Sequence, residues 1–127
     1  MILLAPEPPE EQPEEQPEAD PELDTPEESD ASYAGSVVVV GDRAMEIPTR
    51  LDDLITSYAD AIDNLASAMG PDVRTISLIT PNGGEFYSPE SLHTGDHSQK
   101  DMIEFCYSQM DDKIITVDAY SKLRSHT

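Results

Sequence analysis

Past the first five residues, the apolar positions gather in the run SVVVVG, Ser36 to Gly41. Four β-branched residues closed by glycine are too few for a helix and too continuous for a strand with one wet face. The pattern predicts a strand buried on both sides. Leu51, Leu54, Ile55, Tyr58, Ile62, Leu65, Ala66 and Met69 then recur at spacings of three and four among largely polar neighbours, which predicts an amphipathic helix. Thr49 with Asp52 has the spacing of a capping box at its start. Gly70 followed by Pro71 supplies a left-handed stop and a residue unable to continue.

The stretch VRTISLIT, Val73 to Thr80, predicts a second strand, closed by the turn residues Pro81, Asn82, Gly83 and Gly84. Ser98 offers an N-cap with Asp101 three residues on, and Met102, Ile103, Phe105, Cys106, Tyr107 and Met110 give a second helix with a broad apolar face. Lys113 to Val117 predicts a third strand, and Ala119 to Arg124 begins a third helix. Strands separated by helices need crossovers, which make the strands parallel and lay the helices over the sheet. The fold class expected is α/β: a Rossmann-like three-layer fragment with about three parallel strands in the order β-α-β-α-β-α. Three strands leave an open parallel edge. The end at Thr127, one turn into a helix, is therefore expected to be a truncation of a larger domain.

Composition divides the chain in two. Residues 1–33 hold twelve of the 27 acidic residues, seven of the eleven prolines and no Lys or Arg. Such a segment cannot bury enough apolar surface to offset its ordering entropy, so residues 1–34 are expected to be a disordered acidic linker, extended by proline and like charge. Residues 35–127 are expected to be the folded part. The remaining fifteen acids oppose seven basic residues, and the whole chain carries a net charge of −20. That balance repels phosphate backbones and anionic headgroups, so nucleic acid is not an expected partner. No stretch is long enough to span a bilayer. The opening Met1, Ile2, Leu3, Leu4, Ala5 drops at once into Pro and Glu, like the tail of a hydrophobic anchor, although it reads equally as an ordinary initiator segment.

In open parallel sheets ligands bind beyond the carboxyl ends of the strands. Asp42, Asn82 and Asp118 follow the three expected strands and would line one rim as a strand-end pocket. Each also has a purely structural role open to it: Asp118 as a helix cap, Asn82 in its turn, Asp42 paired with Arg43. Neither GxGxxG nor GxxxxGK is present, so no dinucleotide or P-loop site is expected, and no cofactor is assigned. His93, Asp96 and His97 lie close together, but Gly95 argues against the helix that would make their spacing ligand geometry, and a solvated loop is expected with no metal. Cys106, the single cysteine, sits among Ile103, Phe105 and Tyr107 and is expected to be a buried, inert thiol. No catalytic residue is assigned: the neighbours Ser125 and His126 have no orienting acid in their context.

VVVVGDRAMEI, SYADAIDNLASAMGPDV, SLITPNGGEFYSPE, HSQKDMIEFCYSQMDD and ITVDAYSKLRSHT, in this order and spacing, resemble the front part of the DHHW protein family. That family is extracytoplasmic and bacterial, and is related to the SGNH-hydrolase-like domains of alginate O-acetylation proteins. The resemblance covers about Val37 to Thr127. Gly41 and Asp42 resemble the GDS start of SGNH hydrolases, but Arg43 stands where serine would be, and the Asp-His-His-Trp box of the family would fall after Thr127. The resemblance implies a parent protein acting in O-acetylation or deacetylation of a cell-surface polysaccharide, with this chain itself non-catalytic. Partners implied are that polysaccharide or a protein of the acetylation machinery, in an extracytoplasmic or cell-surface setting; without an export signal before Met1 the setting is cytoplasmic. The competing readings are a glycan- or protein-binding module on an acidic stalk, using the loop around Phe86 and Tyr87, and a nonfunctional fragment.

Overall fold

The structure, a computed structural model, describes residues 24–127; residues 1–23 of the expected linker lie outside it. A single 3-10 turn, Glu28–Asp30, leads into strand β1, Ala31–Ala34. The last residues assigned by sequence to the linker thus take part in the fold. Strands β2, Val37–Val40, and β3, Arg43–Glu46, complete an antiparallel sheet in the order β1-β2-β3.

This corrects the expected layout, in which Val37–Val40 was the first strand of a parallel sheet. Ala34 pairs with Val37, and Val40 pairs with Arg43. Each connection is therefore two residues long, Gly35 with Ser36 and Gly41 with Asp42. Gly35 and Gly41 sit at φ of 63° and 59°. Glycine with positive φ at the first central position is the type II′ pattern, whose twist matches that of flanking antiparallel strands. The valine run is the middle strand of a meander, where only Val38 is fully buried.

The remainder follows the expected alternation. Helix α1, Asp52–Met69, precedes β4, Ile76–Leu78; the short α2, Gly84–Tyr87, and two 3-10 turns lead to α3, Gln99–Gln109. Then come β5, Ile115–Val117, and α4, Ala119–Arg124. Strands β4 and β5 pair in parallel, Ile76 with Ile115 and Leu78 with Val117, with α3 as the crossover between them. The parallel sheet has two strands where three were expected, and a Rossmann-like layout is not formed by the described residues.

Helices α1 and α3 pack on each other and bury Ala59, Ala66, Cys106, Met110 and Ile114, with Ile55, Ile62, Ile79 and Tyr107 against them. The apolar spacing of three and four sets this face. Gly70, at φ 85°, ends α1 before Pro71 as expected. Its start differs: the N-cap is Leu51, whose side chain has no acceptor, and not Thr49, while Asp52 accepts from Arg50 Nε at 2.5 Å. Ser98 does cap α3, its Oγ accepting from Asp101 N at 3.2 Å. Among the described residues, no helix is long and apolar enough to cross a membrane.

Candidate functional site at the parallel strand ends

Beyond the carboxyl ends of β4 and β5 the chain gathers α2, the first turn of α3 and the start of α4. The Tyr107 hydroxyl ties the two strand ends together: it accepts from Ile79 N at 2.9 Å and lies 2.9 Å from the Val117 carbonyl and 3.2 Å from that of Ser77. Its single proton is shared toward those two carbonyls.

Glu85 on α2 is only 3 % exposed. Its Oε2 accepts from Gln99 N at 2.9 Å, and its Oε1 from Lys100 N at 3.3 Å and the Tyr120 hydroxyl at 3.1 Å. A carboxylate here takes up two of the amide protons that α3 leaves unpaired at its N-terminus, where the helix dipole also favours negative charge. Tyr120, packed against Phe86 with ring centroids 5.4 Å apart, has its hydroxyl pushed up to about 12, chiefly by burial and in smaller part by the Glu85 charge and hydrogen bond.

Of the three expected rim residues, Asn82 is the most engaged. Its Nδ2 donates to the Glu46 carbonyl at 2.9 Å. Its Oδ1 accepts from Gly84 N at 2.9 Å and from Gln99 Nε2 at 2.8 Å, while Gln99 Oε1 accepts from Asn82 N at 2.8 Å. Asn82 therefore binds the strand-end loop to β3 and to α3. Gly84 is required beside it, since a Cβ there would meet Ile47 Cδ1 at 2.9 Å and the Glu46 carbonyl at 3.2 Å.

Asp118 is the N-cap of α4, accepting from Ser121 N at 3.0 Å and Ser121 Oγ at 2.6 Å. Those bonds hold its carboxyl below the usual range. With Lys100, Glu104, Tyr107, Tyr120 and Ser121 it lines a cleft of about 190 Å³. Asp42 is exposed in the β2–β3 turn, after a strand of the antiparallel sheet. Asn82 and Asp118 follow the parallel strands; Asp42 does not. Glu85 and Gln99 were missed by sequence reasoning, since neither carries a local pattern that reveals partners fourteen or more residues away.

The Phe86 and Tyr87 rings are used internally: Phe86 is buried between Tyr87 and Tyr120, and the Arg43 guanidinium lies 4.0 Å from the Tyr87 ring centroid. His97 Nδ1 is 3.0 Å from the Pro48 carbonyl, and Gly95–His97 is a 3-10 turn. Among the described residues, no three His, Cys, Asp or Glu side chains gather to hold a metal ion. His126 Nδ1 lies 2.7 Å from the Lys122 carbonyl and 3.0 Å from Ser125 Oγ. A ring nitrogen that donates to a carbonyl cannot also take a proton from the serine. Cys106 is buried, and burial pushes its thiol up, away from the reactive thiolate.

No family model matches the chain, and no curated protein matches it. A search of solved structures gives a DHHW family protein from Eubacterium siraeum, at a TM-score of 0.66 and 22 % identity over 76 % of this chain. The fold is similar to that of a DHHW family protein. The family resemblance read from the sequence motifs is thus met by a likeness of fold. This chain spans 32 % of the length of that DHHW family protein.

Proposed function

We propose that this chain is the front portion of a DHHW-type, SGNH-hydrolase-like protein that handles O-acyl groups on a cell-surface polysaccharide outside the cytoplasm. Its residues build and brace one wall of the site without carrying out acyl transfer themselves. The observation that supports this most is the likeness to the DHHW family protein over 76 % of this chain but only 32 % of that one. In the longer protein the shared part is one third of a larger unit.

Acyl transfer needs an activated nucleophile and donors aimed at the developing oxyanion. The groups nearest the strand ends are suited to another task. Asn82, Gln99 and Glu85 are satisfied by one another and by backbone, so they hold geometry. Asp118, Lys100 and Tyr120 face the cleft and offer acceptors and donors suited to sugar hydroxyls. Phe86 is buried and one face of Tyr87 carries the Arg43 guanidinium, which supports the strand-end cleft over this loop as the place for a sugar.

Titrating an O-acetylated oligosaccharide into labelled chain, followed by amide chemical shifts, tests the wall assignment. The expected result is perturbation confined to Lys100, Asp118, Tyr120 and their neighbours. Shifts centred on residues 86–97 with none at Asp118 would overturn it.

A further inference from the structure

We propose that the strand-end cleft selects its sugar by charge, preferring a ring that carries a free amine to a neutral one and turning away a uronate. This rests on the reading of the cleft as a wall for a polysaccharide. The cleft has a volume of about 190 Å³, and Lys100, Glu104, Asp118, Tyr120 and Ser121 are among its lining residues. It is smaller than the roughly 300–1,000 Å³ of sites for drug-sized ligands, so it seats one ring and not a run of them.

The charges that line the cleft decide the preference. Glu104 and Asp118 are its carboxylates and Lys100 its cation. Lys100 Nζ is bonded to Glu104 Oε1 at 2.6 Å, and the charges of Asp101 and Asp118 also help to hold its proton. The nearby Arg124 is hydrogen-bonded to the Tyr120 hydroxyl, whose own proton goes to Glu85. Both cations are therefore engaged, and neither is left to receive a uronate. Asp118 accepts from Ser121 N and Ser121 Oγ, bonds that keep it ionised at neutral pH, yet a carboxylate has further lone pairs to offer. An ammonium on the ring gains charge-assisted bonds to Asp118 and Glu104. A carboxylate on the ring is repelled by both, and a neutral ring falls between the two.

The test titrates three trisaccharides into the isotope-labelled whole chain: triglucosamine with its amines free, its N-acetylated and neutral counterpart, and trigalacturonate. Amide shifts of Lys100, Asp118, Tyr120 and Ser121 are followed at about pH 6, where the carboxylates are ionised and the amines protonated. At these amides triglucosamine is expected to bind about tenfold tighter than the neutral sugar, and trigalacturonate to leave them unmoved. The margin should vanish in the double variant Glu104→Gln, Asp118→Asn, which keeps the fold because Asn still caps α4 and the Glu104 side chain is 62 % exposed. Equal binding of the amine and neutral sugars, or cleft shifts with trigalacturonate, would overturn the selection by charge and leave the wall reading standing. A margin that survives the double variant would overturn it too, since it would then come from the net charge of −20 on the whole chain. If none of the three sugars moves these amides, the wall reading itself fails and the selection with it.

Discussion

The Tyr120 hydroxyl donates to Glu85 Oε1 at 3.1 Å, linking the first turn of α4 to a carboxylate that also receives two amide protons of α3. Removing either partner has different consequences. Glu85→Ala leaves Gln99 N, Lys100 N and the tyrosine hydroxyl short of an acceptor, and each buried orphan costs about 1–3 kcal/mol. Tyr120→Phe removes one bond and leaves Glu85 with its backbone donors, a loss of about 1 kcal/mol. Urea melts of the two variants should therefore rank Glu85→Ala well below Tyr120→Phe. Equal midpoints would show that the carboxylate does not brace α3.

Tyr120 should titrate near 12 while an ordinary tyrosine titrates near 10. The folded state then holds a proton that the unfolded chain releases between those values. The Tyr120 contribution to stability is full below about pH 10 and is lost as pH rises toward about 12. Absorbance at 295 nm, as the difference between wild type and Tyr120→Phe, isolates this titration. Glu85→Gln should move it down only part of the way, because burial is the larger cause and persists. A Tyr120 titration at the ordinary value would remove the buried hydroxyl from the account.

Two glycines should fail for different reasons when replaced by alanine. At Gly84 the added Cβ collides with Ile47 and comes too near the Glu46 carbonyl, and overpacking of this kind costs about 1–3 kcal/mol. At Gly35 there is open space, but φ is 63°, a left-handed conformation that costs an L-residue about 1–2 kcal/mol. Gly35→Asn should recover part of the loss, since Asn tolerates that region, whereas Gly84→Asn should be worse than Gly84→Ala. Thermal melts of the four variants decide it, and recovery at Gly84 by Asn would contradict the close-approach reading.

Asp118→Ala should fray α4 and cost about 1 kcal/mol, with Asp118→Asn nearly neutral because asparagine caps as well. The Asp118 carboxyl is lowered by its bonds to Ser121. Its contribution is present above the ordinary aspartate value and is lost as pH falls through the lowered one. Amide exchange at Ser121 and Lys122 reads this directly; unchanged protection in Asp118→Ala would dismiss the cap.

Local chemistry was legible from sequence where the partner lies within a few residues. The Ser98 cap and the Gly70 with Pro71 stop were read from adjacent positions. The α1 face was legible only in part: Ile55, Ile62 and Ala66 pack toward α3, but Leu51, Leu54, Tyr58, Leu65 and Met69 are exposed, and the buried Ala59 lies outside the expected set. Val37–Val40 misled because its apolar run was weighed above its flanks. Gly35 with Ser36 and Gly41 with Asp42 are two-residue hairpin signals, and they bind the strand into a meander. Asp42 therefore follows an antiparallel strand, whereas Asn82 and Asp118 follow the parallel ones. The Glu85, Gln99 and Asn82 cluster was not legible at all, since its bonds span 14 and 17 residues and depend on where the crossover sets down the start of α3.

The central claim is that these residues frame a site without performing acyl transfer. The direct measurement is hydrolysis of p-nitrophenyl acetate by the purified chain, beside the triple variant Asp42→Ala, Asn82→Ala, Asp118→Ala. The account predicts release at the buffer rate for both proteins. Turnover well above buffer that disappears in the variant would contradict it, because a working nucleophile and its oxyanion donors would then already be present at the strand ends.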